Sequence, residues 1–189
     1  MNIMKKFIIA TAILFTAAFA ANAQPRAIGA RFGYGIEASY QHSLGQNFLE
    51  FDLGAFAFRS LTLSGVYNIM IAQPAWTPRG EWGFYAGPGL AFGTGFGNAY
   101  GAVTSTYESS KYAASIALAA QAGLEYTFWF PLQLSIDLRP EVGVAFGERY
   151  FAKAGNENNA GTAKHQKAWF HENGLYYGFV PTLSVRYRF

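Results

Sequence analysis

The sequence predicts an all-β protein: an eight-stranded antiparallel up-and-down transmembrane β-barrel, exported behind a cleaved signal peptide. Three observations point there. Aromatic residues make up 18% of the chain and charged residues only 13%, about half the charge usual in a soluble domain. Beyond the amino-terminal segment no run of apolar residues is long enough for a membrane helix, because glycines, prolines and charges interrupt each one. Instead, segment after segment alternates apolar with polar or small residues, the period-two mark of a strand with two unlike faces. An exported chain this apolar, without membrane helices, satisfies its backbone in lipid by closing a sheet on itself.

At the amino terminus Lys5 and Lys6 precede the apolar run 7–15, and Ala21-Asn22-Ala23 fits a small-residue cleavage pattern before Gln24. The apolar core is shorter than the roughly 20 residues of a spanning helix. Residues 1–23 are therefore expected to be a cleaved signal peptide and residues 24–189 one barrel domain. Loss of the two lysines lowers the formal charge of +3 to +1. The basic isoelectric point then gives no argument for nucleic acid, and none is expected as a partner. With no cysteine, neither a disulfide framework nor lipidation through cysteine is available.

The strands follow in order. Ile28, Ala30 and Phe32 alternate with Arg31, and Ile36, Ala38 and Tyr40 alternate with Glu37, Ser39 and Gln41. Gly33-Tyr34-Gly35 reads as a tight turn between two short strands. One strand through 27–42 is the alternative, but an even count, with both termini on one side, favours two. In 48–58, Leu49, Phe51, Leu53, Ala55 and Ala57 oppose Glu50 and Asp52, although Phe48, Phe56 and Phe58 fall on the polar side. Leu61, Leu63, Tyr67, Ile69 and Ile71 oppose Thr62, Ser64 and Asn68. Trp82, Phe84, Ala86, Pro88, Leu90 and Phe92 oppose glycines and Tyr85. In 115–128, apolar residues from Ile116 to Phe128 oppose Gln121, Glu125 and Thr127. Two long strands end the series: 132–147, where Leu134, Ile136, Val142 and Val144 oppose Ser135, Asp137, Arg139 and Glu141, and 174–189, where Leu183, Val185, Tyr187 and Phe189 oppose Ser184, Arg186 and Arg188.

The links sort by length. Ser43–Asn47, Pro74–Gly80 and Trp129–Pro131 share the side of the carboxyl terminus, expected to be periplasmic. Gly33–Gly35, Arg59–Ser60, Gly97–Lys111 and Glu148–Asn173 share the outer side, which thus holds the two longest, as in bacterial barrels.

With apolar faces toward lipid, the opposite faces gather charge: Arg31, Glu37, Glu50, Asp52, Glu125, Asp137, Arg139, Glu141, Arg186 and Arg188 form the expected lumen network. Eight strands leave an interior that side chains just fill, so these charges must pair. Asp137 and Glu141 lie roughly 13 Å apart along a strand, with Arg139 between them, which suits an ion-pair ladder better than paired-carboxylate catalysis. His42-Ser43 are adjacent on a strand and point to opposite faces, a poor base and nucleophile. His165 and His171 lack a zinc spacing, and Gly93-Thr94-Gly95-Phe96-Gly97 lacks the P-loop lysine. No catalytic, cofactor or metal site is expected. Aromatics concentrate near strand ends: Trp76, Trp82, Tyr126, Phe128, Trp129, Phe130, Tyr187 and Phe189 at the periplasmic edge, and Tyr150, Phe151, Trp169, Phe170, Tyr177 and Phe179 at the outer edge. Such rings suit lipid headgroups.

The signal peptide, the glycine-rich alternating strands and the closing Ser184-Val185-Arg186-Tyr187-Arg188-Phe189 resemble the small outer-membrane protein β-barrel, or porin-like, family of Gram-negative bacteria. Tyr85-Ala86-Gly87-Pro88-Gly89 and the segment 131–140 also resemble stretches of such barrels. The resemblance spans essentially the whole mature chain. It implies a place in the bacterial outer membrane, with outer-membrane lipid and the barrel-assembly machinery as partners and Tyr187 and Phe189 as the assembly signal. It is weak for activity. The expectation is a structural or surface-interaction role with a side-chain-filled lumen, any surface ligand being met by the outer link 148–173. The alternatives are a narrow-pore channel for ions or small solutes and, more distantly, a lipid-modifying outer-membrane enzyme.

Overall fold

A computed structural model describes residues 25–33, 35–56, 60–95, 98–103, 106–153, 163–173 and 180–189. The expected signal peptide lies outside the described residues. The described chain is all strand and turn: β1 (Pro25–Phe32), β2 (Ile36–Leu44), β3 (Asn47–Phe56), β4 (Ser60–Ala72), β5 (Glu81–Gly95), β6 (Asn98–Val103), β7 (Thr106–Thr127), β8 (Leu132–Leu138), β9 (Glu141–Lys153), β10 (Ala163–Asn173) and β11 (Thr182–Arg188). Eight of them close a ring in the order β1-β2-β3-β4-β5-β7-β8-β11 and back to β1. Every pairing is antiparallel. The molecule is a closed eight-stranded antiparallel barrel, and the count expected from the alternation holds.

Residues 27–42 form two strands, turned where Gly33 N–H donates to the Gly35 carbonyl at 3.1 Å. The β2–β3 link is only Gly45-Gln46, with Gly45 at φ 69°, where a side chain would be strained. The links 45–46, 73–80 and 128–131 share one rim with both described ends of the chain. At this terminal rim the Phe189 N–H donates to the Arg26 carbonyl at 3.3 Å.

Three expectations need correction. First, 132–147 is not one unbroken strand. Arg139-Pro140 separates β8 from β9, because Pro140 has no N–H for the ladder; its carbonyl still accepts from Ala120 N–H at 3.1 Å. Second, the strand expected over 174–189 is described only in its last part, β11. Residues 174–179 lie outside the described residues. Nine positions separate Asn173 from Thr182, whereas four separate their β9 and β8 partners, Glu141 and Asp137. Five residues are thus surplus to a continuous ladder, and period two could not reveal them. Third, Gly97–Lys111 and Glu148–Asn173 are not simple loops. They contain β6, the start of β7, the end of β9 and the whole of β10.

These extra pairings make the far rim tall on one flank. β7 runs 22 residues against 8 in β1. Its outward apolar residues stop near Ile116, and beyond them the chain reads Thr106-Tyr107-Glu108-Ser109-Ser110-Lys111. Register irregularities fall on both sides of β9 at about one level, between Tyr112 and Ala114 of β7 and between Gln166 and Ala168 of β10. Such bulges bend a sheet, here where the apolar wall gives way to its polar extension.

Packing is inverted relative to a soluble protein. Large apolar side chains cover the outside, among them Leu118, 64% exposed, with Ile28, Leu53, Ile69, Leu90, Phe92, Ile116, Val144, Leu183 and Val185. The buried interior holds Arg31, Gln41, Glu50, Asp52, Asn68, Gln121, Glu125, Gln133, Asp137 and Arg186.

Candidate functional site: the polar lumen

The interior is built from two unlike walls. On β5 and β7 the inward positions are mostly small: Gly83, Gly87, Gly89, Ala91, Ala117, Ala119 and Gly123, with Tyr85, Gln121 and Glu125 among them. Most of the long charged side chains come from β1, β2, β3, β8, the 139–140 link, the start of β9 and β11, and reach into the space the small wall leaves.

At the centre, Arg31 is 0% exposed. It donates to Asp52 at 2.7 Å, bonds Asp137, and lies 3.4 Å from Glu50 and 3.3 Å from Glu37. Glu50, also 0% exposed, accepts from Gln41 at 2.8 Å, Gln121 at 3.2 Å and Arg186 at 2.9 Å. Arg186 also donates to Ser39 at 3.0 Å and Ser135 at 2.8 Å. Toward the far rim Arg139 donates to both Glu37 carboxylate oxygens at 2.8 Å, bonds Asp52 and lies 3.5 Å from Glu141. Toward the terminal rim Arg26 bonds Glu125, which also accepts from Gln133 at 2.8 Å. The Arg26 guanidinium lies 4.0 Å from the centroid of the Phe48 ring, and Phe48 meets Tyr85 edge-on at 5.2 Å. Isolated buried charges would be costly, and each of these carboxylates faces at least one guanidinium. Four guanidiniums, of Arg26, Arg31, Arg139 and Arg186, thus hold six carboxylates, those of Glu37, Glu50, Asp52, Glu125, Asp137 and Glu141.

Nine of the ten charges expected in the lumen are brought together. The exception is Arg188, which lies at the terminal rim and pairs at 3.4 Å with the exposed Glu81; at the strand end its side chain reaches water. The expected Asp137-Arg139-Glu141 ladder is only half formed. Arg139 keeps Glu141, but Asp137 turns to Arg31 and, at 3.3 Å, to the Tyr85 hydroxyl. Arg26 was missed. Parity from Ile28 points it outward, but the register shifts between Pro25 and Ala27, leaving Arg26 as a bulged residue re-aimed into the lumen. Of the phenylalanines on the polar side of β3, Phe48 is fully buried in the lumen.

At the terminal rim the aromatic residues are contiguous. Trp76 meets Trp82 and Phe84 at 5.4 Å each, Trp82 meets Tyr126 at 4.6 Å, and Tyr126 meets Phe128 at 4.6 Å. Phe128 continues to Phe130 and Trp129. Tyr187 and Phe189 pair edge-on at 5.3 Å on the outer face. Of the outer-edge aromatics, Phe170 is exposed, while Tyr177 and Phe179 lie outside the described residues. His42 is half-buried and shares a hydrogen bond with the Tyr40 hydroxyl through Nδ1 at 3.2 Å. Among the described residues no group of histidine, cysteine or carboxylate side chains could hold a metal ion.

One glycine makes the crowding concrete. A Cβ at Gly123 would stand 2.6 Å from the Tyr85 ring and from the Asp137 Cβ. Gly123→Val should therefore displace Tyr85 and cost about 1–3 kcal/mol, as overpacking does. A lowered urea midpoint with a changed tyrosine environment is the expected result, and an unchanged midpoint would contradict this packing.

Comparison with protein-family models, with curated proteins and with solved structures finds no match for this chain.

Proposed function

We propose that this protein is an outer-membrane β-barrel whose filled polar lumen serves as a scaffold, with a structural or surface-interaction role rather than catalysis. The observation that carries the reading is the inverted packing, with apolar side chains outside and paired charges inside. Water would penalise that surface, and lipid rewards it. The apolar band is completed at the terminal rim by the aromatic run from Trp76 to Phe130, which suits a headgroup boundary. The terminal rim is then periplasmic, and the tall polar flank of β6, β7, β9 and β10 stands outside the cell. The surface contact expected of the link 148–173 passes to the paired strands β9 and β10. The guanidinium–carboxylate network that crosses the lumen favours the filled scaffold over the narrow-pore channel. His42 and Ser43, adjacent and oppositely directed, do not supply the lipid-modifying reading with a paired base and nucleophile.

The test is expression with the natural leader. The protein should fractionate with the outer membrane, migrate in a heat-modifiable manner and give no stepwise current in planar bilayers. Recovery in the soluble periplasm would overturn the reading, and stable steps would overturn the filled lumen. Deleting Phe189 should lower the inserted yield several-fold, because it removes the terminal aromatic and its backbone bond to Arg26. Normal yields of the deletion would argue against an assembly role for that residue.

A further inference from the structure

Asn68 is the most poorly satisfied side chain in the lumen. It is fully buried, yet neither its amide nitrogen nor its carbonyl oxygen has a hydrogen-bond partner. A buried amide left in this state costs more than an apolar group of the same shape. Gln121 has the complementary half of the problem. Its amide nitrogen is committed to Glu50 at 3.2 Å, and its carbonyl oxygen is buried and unpartnered. Flipping that amide is no remedy, since it would set oxygen against carboxylate oxygen.

The two residues face each other across one strand. Gly87 pairs with Gln121, and on its other side a Gly87 Cβ would meet the Tyr67 carbonyl oxygen at 1.7 Å and the Asn68 Cα at 3.0 Å, so the main chains of β4 and β5 approach closely here. Two strand spacings put Asn68 and Gln121 about 10 Å apart at the backbone, and the residue between them has no side chain. A direct bond between them would satisfy both amides, and neither makes one.

We infer that the lumen contains a built water site over Gly87, bridging Asn68 and Gln121. The chemistry selects the ligand. Three unpartnered atoms meet it: the Asn68 Nδ2 donor and the Asn68 Oδ1 and Gln121 Oε1 acceptors. A bare cation would serve the two oxygens and leave Nδ2 without a partner, and a small anion would serve only Nδ2. Water can serve all three. Buried waters typically make about three such bonds to otherwise unsatisfied groups. The lumen is then filled but wet, with water as a structural component beside the ion network.

The test is a double-mutant cycle of Asn68→Leu and Gln121→Met, read by urea unfolding of the full chain in lipid vesicles. Each change keeps the shape and removes the polar atoms. Each should lower the folding equilibrium constant, and the double variant should lose about tenfold less than the product of the two, because the second change finds the bridge already gone. If Asn68→Leu does not insert, Asn68→Ala and Asn68→Ser carry the same cycle, with serine recovering what alanine loses. Purely multiplicative losses would overturn the bridge. A more stable Asn68→Leu would show a dry site and overturn it as well. The cycle is run in sodium, potassium and choline chloride; equal coupling in all three is expected, and coupling that follows the cation would replace water with a bound monovalent ion.

Discussion

Arg31→Met should be the most damaging single substitution in the barrel wall, lowering folding stability by about 3–5 kcal/mol in lipid vesicles, the scale of a buried ion pair that loses one partner. Arg31 is fully buried and faces Asp52, Asp137, Glu50 and Glu37. Methionine fills much of its volume and leaves Asp137 with only the Tyr85 hydroxyl at 3.3 Å. Replacing Asp137 by leucine in the same chain should restore part of the loss, because apolar groups in place of both partners can be nearly neutral. Arg188→Met is the control. Its 3.4 Å pair with Glu81 lies in solvent at the rim, and the change should stay within about 0.5 kcal/mol. Equal effects at Arg31 and Arg188 would mean that the central network does not hold the barrel.

Ile136→Arg tests the outer face. Ile136 is 44% exposed and lies in register between Leu124 of β7 and Leu183 of β11. On a soluble protein, a charge at so exposed a position would change stability by no more than about 0.5 kcal/mol. Facing lipid near the midplane it should cost about 2–4 kcal/mol, falling toward the interfaces. The same arginine at Gln73, exposed in the link 73–80 at the terminal rim, should cost almost nothing. Unfolding in vesicles reads both, and a neutral Ile136→Arg would refute a lipid-facing wall.

Much of this was legible because period two is a strong signal when the two faces differ in kind. The alternation of Leu49, Phe51 and Leu53 with Glu50 and Asp52 named both the strand and its inner charges, and most inner charges follow by parity. What parity cannot see is an extra residue. Arg26 is displaced by a bulge, and Asn173 and Thr182 are nine positions apart where their partners Glu141 and Asp137 are four apart. Nor does parity choose partners. Asp137 and Arg139 share a face, but Arg31, far away in the chain, claims Asp137, because closure of the ring decides which side chains meet across it. β6 and the outer part of β7 were hidden for another reason. Their mixed small, polar and aromatic residues have no apolar face to alternate, and their pairing is set by the neighbouring strands.

The seam between β1 and β11 fixes the order in which the molecule can be completed. Of the other neighbouring pairs in the ring, β8 and β11 are separated in the chain by the paired strands β9 and β10, and the rest lie close in sequence. The seam joins Ala27 to Arg188, almost the full length of the described chain, so its closure carries the largest loop-entropy cost in the fold and belongs to the slow, non-local class of contacts. At the terminal rim the seam is continued by the Phe189 N–H, which donates to the Arg26 carbonyl. Until the seam pairs, β1 and β11 each present an open edge, a template for wrong pairing.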